Sequence, residues 1–204
     1  MFLVYLRHEL ATNNKKKKIK LNKYKKKFNF NFDKTTYLGS SFRIAGRSKA
    51  LIEIGKNSVI FANMVCNSAN SRIFVGDRTY INKGCLLDCS KEIFIGSDVT
   101  IGWDVTVLDS NAHSLDWKER SNNTTKANFA LAQNKSWAID TDTKKAEKIT
   151  ISDKVWIGFG SSILRGVTIG EGAVIGAQCV VRNDVTPWSI MIGNPAVKIG
   201  EIRH

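Results

Sequence analysis

The hydrophobic pattern is most regular in residues 151–186, where it repeats every six residues over six consecutive hexads. The fifth place of each hexad holds a small or β-branched residue, and glycine often follows the first place, as in Gly158, Gly170 and Gly176. A period of six fits neither a free helix nor one long strand. The first places are aliphatic throughout: Ile151, Ile157, Ile163, Ile169, Ile175 and Val181.

Hexapeptide repeats at constant spacing predict a parallel β-helix. Each hexad would be a short strand and a corner, and three hexads would make one triangular coil whose first places point inward and stack on neighbouring coils. Glycine suits a corner that has no room for a side chain or needs an unusual φ. The alternative, an ordinary β sandwich, would give strands of varied length. We therefore expect an all-β fold, a parallel β-helix of about five coils.

The same period is present earlier in the chain, at Ile54-Gly55, Val75-Gly76 and Ile95-Gly96. Between these triplets of hexads the spacing widens by two or three residues, so we expect the extra residues at the same corner of each coil. The repeat stops after Val107 and resumes at Ile151. We predict a β-helix over residues 35–196, a polar loop insertion over 109–148 and a C-terminal cap over 197–204. Insertions of this length in a compact domain are often functional.

The formal net charge of +13 is concentrated at the start of the chain. Residues 1–34 contain eleven Lys or Arg against two acidic residues, a net +9. We expect a flexible basic N-terminal arm, which is either a solvated tail or a peripheral contact with anionic lipid through its apolar first six residues and its lysines. Nucleic acid is less favoured, because no recognition motif accompanies the charge.

Other features of the sequence favour a cytoplasmic protein, with contact at the inner membrane face as the alternative for its basic arm. No apolar run reaches about 18 residues, and the apolar start is too short for a signal peptide. Of the four cysteines, Cys66, Cys85 and Cys179 occupy inward places of the repeat, where cysteine packs as a small apolar residue. Their spacing gives no zinc pattern, so we expect no metal site.

His113 is the candidate catalytic residue. His8 lies in the basic arm and His204 ends the chain, whereas His113 directly follows a coil at the mouth of the insertion. A neutral imidazole can remove a proton near neutral pH. Asp109 and Asp116 flank it and could orient its ring, Asp109 first because it leaves the regular coil, although both could equally be loop caps.

Two tryptophans lie in the insertion. Trp117 and Trp137 could stack on a sugar ring or on a neighbouring subunit, or they could pack within the loop.

The stretch IGFGSSILRGVTIGEGAVIGAQCVVRNDV, the later IGNPA and the histidine in DSNAHSLDW resemble the hexapeptide-repeat acyltransferases of the sugar O-acetyltransferase type. The resemblance implies left-handed coils, acetyl-CoA as co-substrate, His113 as general base and a homotrimer whose coenzyme site spans two chains. It also implies that Asn82 holds the thioester end or the acceptor; the alternative is a corner asparagine with a left-handed φ.

The resemblance further implies a set of coenzyme A contacts by register. The pantetheine arm would contact the late coils, basic residues would hold the phosphates, and a turn near the C-terminus would support the adenine. These residues are Phe159, Gly160 and Ala177 for the arm, Arg182 and Lys198 for the phosphates, and Asn194 and Pro195 for the adenine.

The activity implied is transfer of an acetyl group to a sugar hydroxyl of a surface polysaccharide or its precursor. The alternatives are N-acetylation of an amino sugar, acetylation of an antibiotic, and a non-catalytic scaffold. Serine acetyltransferases are disfavoured, because they carry a helical domain before the repeats. A γ-type carbonic anhydrase is disfavoured because it needs three histidine zinc ligands, and the repeat region has one.

Overall fold

Three parallel β-sheets form the faces of a triangular prism, and the chain winds through sheets A, B and C in turn. The computed structural model describes residues 14–111, 113–133 and 145–203. Sheet A contains β1 (Asn29–Phe32), β4 (Leu51–Ile54), β7 (Arg72–Val75), β10 (Glu92–Ile95), β13 (Ile149–Ile151) and β16 (Thr168–Ile169). Sheet B contains β2 (Tyr37–Leu38), β5 (Val59–Ile60), β8 (Tyr80–Ile81), β11 (Thr100–Ile101), β14 (Trp156–Ile157), β17 (Val174–Ile175), β19 (Ser189–Ile192) and β20 (Val197–Glu201). Sheet C contains β3 (Arg43–Gly46), β6 (Asn63–Cys66), β9 (Leu86–Cys89), β12 (Thr106–Leu108), β15 (Ser162–Leu164) and β18 (Val180–Val181).

Equivalent residues of successive coils stack in register along the prism. In sheet A the pairing places one aliphatic column through Ile54, Val75, Ile95, Ile151 and Ile169. All five side chains are buried, and burying each contributes roughly 1.5–3 kcal/mol. The first place of the hexad is therefore the inward position, as the sequence pattern predicted.

The prism has six coils, and the first begins at Asn29 rather than at residue 35. Strand β1 pairs in parallel with β4, so that Phe30 lies beside Ile52. The predicted β-helix of about five coils therefore begins six residues earlier than residue 35 and gains one coil at this end. The first coil contributes one buried apolar residue to each sheet, Phe30, Leu38 and Ile44. Its Asn- and Lys-rich surroundings obscured the period.

The N-terminal end of the core is covered by aromatic side chains. Helix α1 (Asn14–Lys27) precedes β1, and Tyr24 and Phe28 at its end are buried. The Tyr24 ring meets Phe30 and Phe42 edge to face, at centroid distances of 6.4 and 6.1 Å. An open solenoid end needs such a cover. Part of the segment expected to be a flexible arm therefore closes the fold.

The corner between sheets C and A, called the C–A corner, absorbs the irregular segments. Residues 67–71 lie there, as the widened spacing predicted, and the insertion leaves at the same corner between β12 and β13. The insertion was expected to be a loop, but it contains helix α2 (Trp117–Ala132). At the other end of the chain, β20 pairs antiparallel with β19 and extends sheet B beyond the last coil.

Candidate functional site

The insertion begins at a buried carboxylate. Asp109 follows β12, is fully buried, and accepts backbone N–H groups of Ser90, Lys91 and Glu92 at 2.7, 2.7 and 2.9 Å. Burial raises the pKa of Asp109, and the N–H donors offset this in part. Among the described residues no hydrogen bond joins Asp109 to His113. The expected orientation of the His113 ring by Asp109 is therefore not supported by a hydrogen bond among these residues. The Asp109 carboxylate instead holds the turn of the coil below.

His113 lies at the mouth of the insertion with an exposed side chain. Its backbone N–H donates to the carbonyl oxygen of Asn111 at 2.6 Å, which forms a tight turn two residues beyond the buried carboxylate. The imidazole is thus carried on a short turn that starts from the buried end of a coil. Such a placement presents the imidazole to solvent from a rigid scaffold, as is common for functional loop residues.

The other expected residues of the insertion have simpler surroundings. Asp116 is the N-cap of α2, and its carboxylate accepts the N–H of Lys118 at 2.9 Å. This is the loop-cap alternative rather than a contact with the His113 ring. Trp117 is 65% exposed at the start of the helix, so it is available to a ligand or to another subunit. Trp137 lies outside the described residues.

The residues expected to contact the pantetheine arm line a different edge, the corner between sheets B and C, here called the B–C corner. The coils approach closely there: a Cβ on Gly158 would lie 2.5 Å from the backbone nitrogen of Ala177. Phe159 stacks on Trp103 of the coil below, at 4.9 Å between centroids and 9° between planes, and both rings are substantially exposed. Gly160 has a φ of +65°. This edge offers exposed backbone and a flat aromatic surface.

Asn82 lies at the same B–C corner, below Gly102. Its backbone N–H donates to the carbonyl of Ile101 at 3.1 Å, and its side-chain oxygen accepts the N–H of Lys83 at 2.8 Å. Asn82 is absent from the described residues with positive φ, so the alternative of a left-handed corner asparagine is wrong.

The residues expected to hold the phosphates and the adenine are spread over the C-terminal end. Arg182 is exposed at the C–A corner of the last coil. The turn with the cis Asn194–Pro195 peptide lies over β18, because the Gly193 carbonyl accepts the N–H of Val180 and the N–H of Ala196 donates to the Val180 carbonyl. Lys198 is paired with Glu201.

The candidate residues at the corners therefore fall into two groups on different edges of one chain, and Asn194, Pro195 and Lys198 lie at its C-terminal end. His113 and Arg182 belong to the C–A corner, whereas Asn82, Phe159 and Ala177 belong to the B–C corner. A sheet C strand of four residues, such as Leu86–Cys89, separates the two corners; its length is about 13 Å at about 3.3 Å per residue. A single chain does not bring the two groups together through the described residues.

The structure adds candidates that the sequence pattern did not single out. Asp88 pairs in register with Leu108, next to the buried carboxylate, and hydrogen-bonds to Asn67. Burial raises the pKa of Asp88. Trp103 and Trp156 were not assigned a role, and both are exposed, Trp156 to 55%. A large aromatic residue at an outward place of the repeat could have indicated a binding surface. No metal-binding group of three His, Cys, Asp or Glu occurs in the part of the chain that the structure describes.

Residues 148–183 match the family described as bacterial transferase hexapeptide (six repeats). A galactoside O-acetyltransferase of Lactococcus lactis subsp. lactis is 28% identical over 151 residues, which are 73% of this chain and 62% of that protein. A chloramphenicol acetyltransferase of Klebsiella aerogenes is 31% identical over 125 residues, which are 55% of this chain and 57% of that protein. The chain spans less than two thirds of the length of these curated relatives.

Solved structures share the fold. The polySia specific acetyltransferase NeuO has a TM-score of 0.64 and 26% identity, over 86% of this chain and 74% of that chain. AntD, an N-acyltransferase from Bacillus cereus in complex with dTDP and coenzyme A, has a TM-score of 0.65 over 85% of this chain and 84% of that chain; at 21% identity this likeness shows the fold alone.

These comparisons confirm two predictions. The fold is a left-handed parallel β-helix, and the chain resembles the hexapeptide-repeat acyltransferases of the sugar O-acetyltransferase type. No helix in the described ranges is long and apolar enough to cross a membrane.

Proposed function

We propose that the chain is an acetyl-CoA-dependent O-acetyltransferase. Its acceptor would be a sugar hydroxyl of a surface polysaccharide, such as a capsule, O-antigen or exopolysaccharide, or of a precursor. The observation that carries this proposal is the exposed His113 on a turn that starts from the buried end of a coil. The galactoside O-acetyltransferase and the polySia specific acetyltransferase among the similar proteins support a saccharide acceptor.

The proposed reaction is a direct transfer. A ring nitrogen of His113 removes the proton of the acceptor hydroxyl while the hydroxyl oxygen attacks the carbonyl carbon of the thioester. The tetrahedral intermediate then collapses, the carbon–sulfur bond breaks, and the leaving thiolate takes the proton back from the imidazolium. The Asn82 amide and backbone N–H groups of the B–C corner could donate to the oxyanion. Asp109 acts in this scheme by holding the coil end from which the turn starts.

We propose that the active unit is a homotrimer, because a single chain separates the two groups of candidate residues. In a closed ring of three copies, the C–A corner of one chain can face the B–C corner of the next. Exposed apolar side chains support a contact of this kind. Phe129 and Leu131 of α2 are 68% and 59% exposed, and Ala127 is the buried residue of that helix.

A second candidate activity is acetylation of a small antibiotic. The chloramphenicol acetyltransferase relative favours it, and its identity of 31% is close to that of the galactoside enzyme. Both activities use a hydroxyl acceptor and the same base, so they differ only in the molecule that occupies the acceptor side.

The first experiment is acetyl-CoA binding by calorimetry, followed by thiol release against sugars, nucleotide sugars, amino sugars and chloramphenicol. We expect binding, and thiol release with one class of saccharide. His113→Ala should lower turnover by about 10²–10⁴-fold and leave acetyl-CoA affinity unchanged. A variant that keeps more than half of the activity would remove His113 from the mechanism. Absence of binding would leave the scaffold alternative.

Trimers that mix two inactive variants test whether the site spans two chains. Asn82→Ala and His113→Ala subunits that are each inactive should regain activity when refolded together, since roughly one quarter of the interfaces then combine an intact His113 with an intact B–C corner. Activity that stays at the level of the separate variants would show that one chain carries the whole site.

A further inference from the structure

The insertion is closed at its base by an arginine from the next coil. Arg165 follows β15, at the C–A corner above the point where the insertion leaves. Its Nε donates to the Oδ1 of Asn111 at 2.7 Å, and its Nη1 pairs with the Oε1 of Glu147. Asn111 lies near the start of the insertion and Glu147 near its end. One guanidinium therefore binds both ends.

Backbone hydrogen bonds reinforce the closure. The N–H of Glu147 donates to the Asp109 carbonyl at 2.8 Å, and the N–H of Gly166 donates to the Glu147 carbonyl at 3.3 Å. The returning strand is thus held against both the departing strand and the next coil.

The closure reaches His113 through Asn111. The Asn111 side chain is held by Arg165, and its carbonyl oxygen accepts the backbone N–H of His113 at 2.6 Å. A planar guanidinium can serve two acceptors in fixed directions, whereas a lysine ammonium acts as a point charge. Asn111, whose carbonyl oxygen accepts the His113 N–H, is therefore held by one arm of a guanidinium whose other arm pairs with Glu147.

We propose that Arg165 is a positioning residue for His113. The inference rests on the proposed function, in which His113 is the base. A displacement of about 1 Å at a reacting group can cost on the order of 100-fold in rate. A partly exposed ion pair contributes at most about 1 kcal/mol to folding. Loss of Arg165 should therefore affect turnover far more than stability.

The test compares Arg165→Gln with a matched variant, Arg78→Gln. Arg78 also joins two coils through a guanidinium, which contacts Asp98 at 2.7 and 2.6 Å, but it lies at the corner between sheets A and B. We expect Arg165→Gln to lower kcat by about 10- to 100-fold, with KM for acetyl-CoA and the melting temperature as in Arg78→Gln. Arg165→Lys should give an intermediate kcat, because it keeps the charge and loses the fork.

Combination with His113→Ala separates this inference from the proposed function. If Arg165 acts through His113, Arg165→Gln should not lower the residual rate of His113→Ala further. An equal loss in both backgrounds would overturn the positioning role, as would an Arg165→Gln enzyme that matches Arg78→Gln, or one that melts well below it. An active His113→Ala enzyme would instead overturn the proposed function, and the inference with it.

Discussion

At the scale of single residues, neighbouring carboxylates with similar sequence surroundings have different roles. Asp109 is fully buried and holds three backbone N–H groups of the coil below. Asp116, seven residues later, is exposed and caps a helix. The sequence places both beside His113 but does not show which backbone groups each one meets. The two carboxylates are distinguished by their burial and by the backbone N–H groups that they accept.

Asp109→Asn should destabilise the fold by about 1–3 kcal/mol. An amide offers one acceptor oxygen in place of two, so at least one buried N–H of residues 90–92 loses its partner. Denaturant unfolding measures the loss. Asp116→Asn is the control and should be nearly neutral, because asparagine is an equally good N-cap. A stable Asp109→Asn enzyme with a kcat as low as that of His113→Ala would show that Asp109 acts on the ring.

At the scale of elements, the hexads allowed the prediction of most strands and corners, because the inward column repeats at fixed spacing. Two elements lay outside this signal. The first coil has single inward residues such as Phe30 among Asn and Lys, and α2 buries Ala127 but no apolar stripe, so neither shows a regular hydrophobic period. The Asp116 cap and the Ala- and Lys-containing sequence after it were the available signs of α2.

The close stacking of coils at the B–C corner makes Gly158 a sensitive position. In Gly158→Ala the new Cβ would lie 2.5 Å from a backbone nitrogen of the next coil, so the coils must separate. We expect a loss of about 1–3 kcal/mol in unfolding free energy and weaker acetyl-CoA binding. Gly200→Ala is the control, since its Cβ would meet its nearest neighbour at 3.8 Å. Equal stability of the two variants would contradict the tight stacking.

At the scale of the whole molecule, the candidate site was only partly predictable. Sequence spacing placed His113 at the mouth of an insertion and Phe159 and Ala177 at a corner. It could not show that these corners lie on different edges, because that depends on how each hexad maps onto the three sheets. For the same reason the sequence did not indicate Arg165, whose two partners lie 54 and 18 residues away.

The charge is also arranged at this scale. Residues 14–50 contain thirteen Lys or Arg and one acidic residue, so they hold +12 of the net +13. These residues form α1, the first coil and the corner that leads to β4. The basic segment is therefore attached to one end of the prism by the buried Tyr24 and Phe28. We propose that this end contacts an anionic membrane surface, and a trimer of parallel prisms would present three such ends side by side.

The full chain should therefore bind vesicles that contain anionic lipid, and binding should weaken as salt rises. The last part of α1 carries four exposed lysines, whereas the buried Tyr24 attaches the helix to the core. Replacement of these lysines should therefore leave the fold intact. At about 1 kcal/mol for each charge, their replacement by glutamine should weaken binding at least about 100-fold. A control with four glutamines elsewhere on the surface should bind as the wild type does. The first set is Lys23, Lys25, Lys26 and Lys27, and the control set is Lys56, Lys91, Lys118 and Lys126. Equal weakening in both sets would attribute binding to net charge alone, and a wild type that ignores anionic vesicles would leave the basic end as a solvated cap.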